Sequence, residues 1–296
     1  MKRKAFNLFL KTLSRITHKN IIDIPYTRKS RGLTAVKSLY GFWYCGDVFE
    51  QSDIAYGILA NGDVESSDTR VVLSVLKHIP KDFVFYDIGS NTGWYSLVAA
   101  TVGNAGYVYS FEPLEEHVLC ERESVTLNRK DDYVSVFEIA LSDASGKSII
   151  RLAGSGTSLE HDFLEADFGK REVQVEKLDI FKKKEALKNP DFIKIDVEGH
   201  EYQVLLGAKK TLEESHPALF IEIAKTIKKR RFINKNFTLI FSFLASLGYE
   251  AYIAEPRGVR KYNPEENPDN VYMYLFLHKE KHLHNEELLR ELAITL

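Results

Sequence analysis

The chain has 296 residues, enough to bury a full core in one large domain or two small ones. Its 44% hydrophobic and 28% charged residues are those of a soluble globular protein, not of a disordered tail or a fibre. Forty basic against 42 acidic residues leave a net charge of -2, which excludes a global electrostatic footprint for nucleic acid.

No apolar run approaches the ~20 residues of a membrane helix, so no transmembrane segment is expected. Cys45 and Cys120 are too few and too far apart for a disulfide framework or a metal knuckle, and a reducing, cytoplasmic setting is expected. The basic N-terminus is cut by Lys11 and lacks a small-residue cleavage site, so no signal peptide is expected. Phe6, Phe9, Leu10, Leu13 and Ile16 follow helical spacing, with Lys2, Arg3, Lys4, Lys11, Arg15 and Lys19 elsewhere on the wheel. Such a helix suits peripheral contact with a membrane, docking of a partner, or packing on its own domain or on a second subunit of an oligomer.

Residues 1–60 read as an N-terminal extension, helical in part, and 61–296 as the main domain. From about residue 70, strand-like and helix-like runs alternate, which argues for an α/β fold with a mostly parallel sheet covered on both faces. The pattern predicts a helix at 68–78, a strand at 83–88, a helix at 93–101, a strand at 107–111, a helix at 114–127 and a strand at 134–140. An inserted β-hairpin follows, with strands at 147–152 and 172–175 around a loop at 153–170. Alternation resumes with a strand at 192–196, a helix at 200–214, a strand at 218–223 and a helix at 237–247 closed by Gly248. Strands at 250–254 and 271–277 end the domain as an antiparallel hairpin.

Two motifs carry chemistry. In the first, Phe83 to Gly93, a buried strand breaks into a glycine turn and then a helix. Gly89 and Gly93 permit a tight turn and close approach of a ligand, and the amides at the helix start are donors for an anion. Glu112, before Pro113 at the tip of the next strand, is placed to hydrogen bond a ribose. Asn91 holds the place of the second glycine of a dinucleotide fingerprint, which weakens a pyrophosphate reading. The remaining D-x-G-x-x-x-G, from Asp87 to Gly93, resembles the first motif of class I S-adenosylmethionine-dependent methyltransferases, and is equally compatible with glycines that serve packing only. The second motif, Phe192 to Glu201, sets Asp196, Glu198 and His200 at the carboxyl edge of the sheet. One acid there is explained as a helix cap, but three ionisable residues in so short a run are not.

The two motifs together resemble the FkbM family of methyltransferases. Phe111-Glu112-Pro113, Ala140-Leu141-Ser142-Asp143, Leu178-Asp179, Pro217 and Glu222 agree in order and spacing, over residues 65–280. The resemblance implies a class I methyltransferase, a Rossmann-like seven-stranded sheet, with S-adenosyl-L-methionine as cofactor. It implies O-methylation of a free hydroxyl on a sugar, glycan or other small natural product. Asp87, Gly89, Ser90, Asn91, Gly93 and Glu112 are then the cofactor candidates, with Ala140 and Leu141 for adenine. Asp196, Glu198, His200 and Glu222 are the catalytic candidates: Asp196 positions cofactor or substrate, and Glu198 or His200 accepts the proton. Lys194 reads as structural. Asp196 and Glu222 also suit a divalent cation such as Mg²⁺.

Acceptor selection is assigned to the loops at 153–170 and 256–270. The basic run Lys225, Lys228, Lys229, Arg230, Arg231 and Lys235 suits an acidic or phosphorylated glycan precursor, or is a solvated helix face. Two other functions stay open: a nicotinamide-dependent oxidoreductase on a related sheet, and a non-catalytic interaction module.

Overall fold

The structure, a computed structural model, describes residues 21–24, 33–48, 53–103, 105–152, 157–160, 169–227, 232–255, 258–263 and 273–293. The amphipathic run at the N-terminus, most of the 153–170 and 256–270 loops, and residues 228–231 of the basic run lie outside them.

Strands β1 (Ile21–Ile24), β2 (Leu33–Lys37) and β3 (Trp43–Gly46) form an antiparallel sheet, followed by helices α1 (Ile54–Asn61) and α2 (Ser66–His78). Strand β4 (Val84–Ile88) leads into a one-turn helix α3 (Trp94–Leu97) that widens to a π-turn at Val98–Val102. Then come β5 (Tyr107–Glu112), α4 (Glu115–Leu127), β6 (Val134–Glu138), β7 (Ala140–Leu141), β8 (Gly146–Arg151) and β9 (Lys170–Glu176). The second half holds α5 (Leu178–Lys184), β10 (Phe192–Ile195), α6 (Glu201–Gly207), α7 (Lys209–Ser215) and β11 (Ala218–Glu222). The short strands β12 (Thr226–Ile227) and β13 (Phe232–Ile233) precede α8 (Phe237–Ser246), β14 (Tyr249–Glu255), β15 (Gly258–Lys261), β16 (Met273–His278), α9 (Lys279–His282) and α10 (Glu286–Glu291).

The main sheet has the order β15-β14-β16-β11-β10-β4-β5-β6. Strands β6, β5, β4, β10 and β11 are parallel, while β16 slots in antiparallel between β11 and β14. The terminal hairpin is as the sequence predicts, with β15 added on its outer edge. Along the central strands the two faces alternate, as a period of two requires. Phe85, Val108, Phe192 and Phe220 face one core, and Tyr86, Tyr109, Ile193 and Leu219 face the other.

Two local readings change. The expected 134–140 strand breaks at Ile139, whose amide donates to Glu112 O; Ala140 and Leu141 pair instead with β9, in a separate sheet with the inserted hairpin. The expected 200–214 helix breaks at Ala208, because the Asp179 carboxylate accepts from the Lys210 and Thr211 amides and gives α7 its own start. The described flanks of the basic run are β12 and β13, paired antiparallel. The N-terminal sheet packs into the main core: Phe42 and Tyr44 meet Trp94, and Trp43 and Asn128 exchange two hydrogen bonds.

Candidate active site

Register across four neighbouring strands assembles the site. Ile88 of β4 lies opposite both Phe111 of β5 and Ile195 of β10, and Ile195 lies opposite Ile221 of β11. One step further along each strand stand Glu112, Gly89, Asp196 and Glu222, in a row at the carboxyl edge. Between β4 and β10 the strand order reverses, and this is the switch point where doubly wound sheets bind ligands. A cavity of about 780 Å³ opens over the row, within the usual ~300–1,000 Å³ of a ligand pocket.

The glycine turn is shaped by the protein's own packing. Gly89 has φ +74°, and a Cβ there would lie 1.8 Å from the Asp196 carbonyl oxygen. Gly93 has φ +86°, and a Cβ there would lie 2.5 Å from Glu121 Cγ. The closeness that the sequence reading assigns to a ligand is therefore taken up by β10 and α4. The loop's anion is likewise internal: the Asn91 amide donates to Glu112 Oε2 at 3.0 Å, and the Leu114 amide donates to Oε1 at 2.9 Å. A carboxylate has about four acceptor positions, so Glu112 keeps capacity for a ligand hydroxyl. His117 Nδ1 lies 3.4 Å from Glu112 Oε1, an ion-pair distance that is too long for a well-formed hydrogen bond. Burial pulls the His117 pKa down, but Glu112, Glu116 and Asp53 outweigh it and hold the imidazole above its ordinary value.

At the other end of the row, charges are paired. Lys194 is buried, its Nζ 3.0 Å from Asp196 Oδ2 and 4.9 Å from the centre of the Tyr95 ring, while Tyr95 donates to Glu65 at 2.7 Å. Burial disfavours the ammonium, but Asp196, Asp87 and Glu65 more than compensate and keep it charged. Burial also works against the Asp196 carboxylate, yet Lys194 and a hydrogen bond from Glu222 hold its pKa below the usual carboxylate value. Glu222 is pushed well up by burial and by the Asp196 charge, so it keeps the proton that it donates to Asp196.

Asp196, Glu198 and Glu222 each bring an oxygen within 4.8 Å of the other two, a spacing that suits a cation. Glu198 has φ +55°, a strained conformation for a non-glycine residue. Its carbonyl accepts from Ser158 Oγ at 2.6 Å, and Glu201 Oε1 accepts from the Gly199 amide at 2.8 Å, so the turn is braced from both sides. Burial pushes the Glu201 carboxyl up to about 8. His200 has both ring nitrogens engaged, with Nδ1 2.7 Å from Glu160 Oε1 and Nε2 2.9 Å from Ser142 Oγ.

Gly89, Ser90, Asn91, Glu112, Ala140, Leu141, Asp196, Glu198, His200 and Glu222 all line the cavity. Asp87 stands behind its wall, opposite Lys194 in the sheet, and accepts from Ser96 Oγ at 2.8 Å. Gly93 also lies behind. Lys194, which the sequence reads as structural, lines it as well, and residues that the sequence reading passed over add to it: Asp47, Asp53 and Ile54 from the N-terminal segment, and Glu65 and Tyr95. No motif marks them, because each reaches the cavity through tertiary packing. Of the 153–170 loop, Thr157, Ser158 and Leu159 reach it.

Sheet order, glycine turn and acid row together define a class I methyltransferase. Residues 87–251, more than half of the chain, match the Methyltransferase FkbM domain, and the chain belongs to that family. It is similar to the hexuronic acid methyltransferase AglP of Haloferax volcanii, 27% identical over 146 residues. That match covers 48% of this chain and 57% of AglP, so the chain spans little more than half the length of this curated relative. Methyltransferase FkbM from Methylobacillus flagellatus KT superposes with a TM-score of 0.44 at 18% identity, covering 67% of this chain and 44% of that one. An O-methyltransferase from Bacillus cereus in complex with SAH gives 0.43 at 16% identity, covering 78% and 87%. At these scores neither likeness bears on the site.

Proposed function

We propose that this protein is an S-adenosylmethionine-dependent O-methyltransferase acting on a hydroxyl of a sugar or glycan. The row Glu112, Gly89, Asp196, Glu222 supports the reading, because it lines one cavity with an acid suited to a ribose and, two strands away, an acid suited to accept a proton. A carbohydrate acceptor is supported by the relative named for hexuronic acid. Cys45 and Cys120 are free thiols, which fits a cytoplasmic enzyme.

The residues present suit the cofactor. Glu112 has acceptor positions to spare for ribose hydroxyls, and the apolar flank of Phe111, Ile139, Ala140 and Leu141 suits an adenine. When bound, the cofactor supplies a methyl group on a sulfonium. The protein's task is to hold the acceptor oxygen in line and take up its proton, and orientation alone contributes up to ~7–11 kcal/mol. A hydroxyl becomes strongly acidic as it gains a carbon, so a carboxylate of low pKa is base enough. Asp196 is that carboxylate: Lys194 keeps it charged, and Glu222 fixes its orientation through a donated proton. Glu198 lies beside them as a second acceptor. His200, tied to Glu160 and Ser142, positions the turn and does not accept the proton.

Incubation with methyl-labelled S-adenosylmethionine and a panel of monosaccharides, uronic acids and glycan fragments tests the reading. Label on a carbohydrate oxygen is expected. Transfer only to non-carbohydrate alcohols would replace the acceptor class. Binding of a nicotinamide nucleotide with none of S-adenosylmethionine would overturn the assignment.

A further inference from the structure

The glycine turn rests on an acid that takes no part in this chemistry. Glu121 of α4 is fully buried beneath it and does not line the cavity. Its Oε2 accepts from Ser90 Oγ at 2.8 Å and from Ser110 Oγ at 2.9 Å, so a single oxygen ties the turn after β4 to strand β5. Its stem fills the space beside Gly93, where a Cβ would lie 2.5 Å from Cγ and 2.7 Å from Cδ. The remaining oxygen, Oε1, is buried without a hydrogen-bond partner, and so is Oδ1 of Asp87. Two buried carboxyl groups, each with one unsatisfied oxygen, therefore underlie the segment that contacts the cofactor.

We propose that Glu121 is a positioning residue which, by tying Ser90 of the turn to Ser110 of β5, holds residues 89–93 in the shape that binds the cofactor. The proposal extends the functional reading above only in naming the ligand, since the strut itself belongs to the free protein.

The groups around Glu121 come from every neighbouring element. Asp87 faces it from β4, Ser90 from the turn, Ser96 from α3, Ser110 from β5 and Tyr44 from β3, with Cys120 adjoining on α4. Lys194 acts on Asp87 from the far side. Burial and the Asp87 charge push the Glu121 carboxyl up to about 8, against the pull of the three serine hydroxyls. At neutral pH the acid is thus mostly protonated. Ionisation would set a negative charge beside the buried Asp87 carboxyl, and relief of that unfavourable burial displaces the one oxygen that anchors Ser90.

The test compares wild type, E121Q and E121A from pH 6.5 to 9.5, by calorimetric titration with S-adenosylhomocysteine and by hydrogen exchange of amides 89–93 in the free protein. Wild-type affinity should fall about tenfold per pH unit above roughly 8, the slope of one proton. E121Q should bind as wild type does at pH 7 and stay level, since its amide oxygen still accepts from the serines and nothing ionises. E121A should bind at least about tenfold more weakly at every pH, with the acceptor KM unchanged. Protection of amides 89–93 should drop above pH 8 in wild type and hold in E121Q, whichever ligand the cavity takes. An E121Q protein whose loop protection and affinity fall with pH as in wild type overturns the proposal. So does a folded E121A protein with wild-type affinity. Failure of wild type to bind S-adenosylhomocysteine, with the loop protection behaving as expected, would instead refute the functional reading and leave the strut standing.

Discussion

The Asn91 amide donates to Glu112 Oε2 at 3.0 Å, so the acid at the tip of β5 also closes the glycine turn at the tip of β4. One carboxylate shapes the pocket and faces its interior. Replacing it therefore does two kinds of damage at once.

For Glu112→Ala, the charge-assisted bonds to Asn91 and Leu114 are lost together with the proposed ribose contact. Each such bond contributes about 1.5–3 kcal/mol, so cofactor affinity should fall at least about tenfold. Isothermal titration measures it, and unchanged affinity would remove the ribose assignment.

Asp196 and Glu222 lie side by side in the row but should respond differently to substitution. Asp196→Asn removes the charged acceptor beside Lys194, and turnover should drop by about 10²–10⁴ with the fold retained. Glu222→Gln replaces one donor by another, and turnover should stay within about tenfold. Adenosylhomocysteine release, with circular dichroism as the fold control, checks both. Equal losses in the two variants would contradict the assignment of Asp196 alone as the base.

Lys194 already supplies a positive charge at the acid row, 3.0 Å from Asp196. Dialysis against a chelator should therefore leave turnover unchanged. Loss of activity with recovery on Mg²⁺ would instead make Asp196, Glu198 and Glu222 a metal site.

Glu201 links the acid turn to stability. Its carboxyl is pushed from an ordinary value of 4.5 to about 8 by burial, so the folded state binds the extra proton between those values. Its contribution to stability is therefore full below pH 4.5 and declines as pH rises towards 8. Urea midpoints across that range should fall in wild type and fall less steeply in Glu201→Gln, whose side-chain oxygen still accepts from the Gly199 amide. A steeper slope in the variant would contradict the assignment.

Gly89→Ala should be costly even without a ligand. The backbone is left-handed, and the added methyl would lie 1.8 Å from the Asp196 carbonyl oxygen. Strain and displacement of β10 together should cost about 3 kcal/mol or more, read as a lower thermal midpoint.

Much of this is local information. Apolar runs such as Val84–Ile88 and Phe192–Ile195, each broken by a turn residue, mark parallel strands without any partner in view. The spacing of Asp87 to Gly93 and Lys194 to Glu201 names the family, and Gly248 closes α8 as expected, with φ +88°. What the order of residues cannot carry is pairing. Glu112, Gly89, Asp196 and Glu222 become one row only because β4 lies between β5 and β10, and β10 beside β11. The break at Ala208 comes from Asp179, some thirty positions earlier, and the strut at Glu121 from a helix with no motif of its own. Glu65 and the N-terminal residues Asp47, Asp53 and Ile54 reach the site in the same way. Hydrophobic runs and glycines act through nearest neighbours along the chain, whereas charge state, burial and register are set by groups that meet only when the sheet forms.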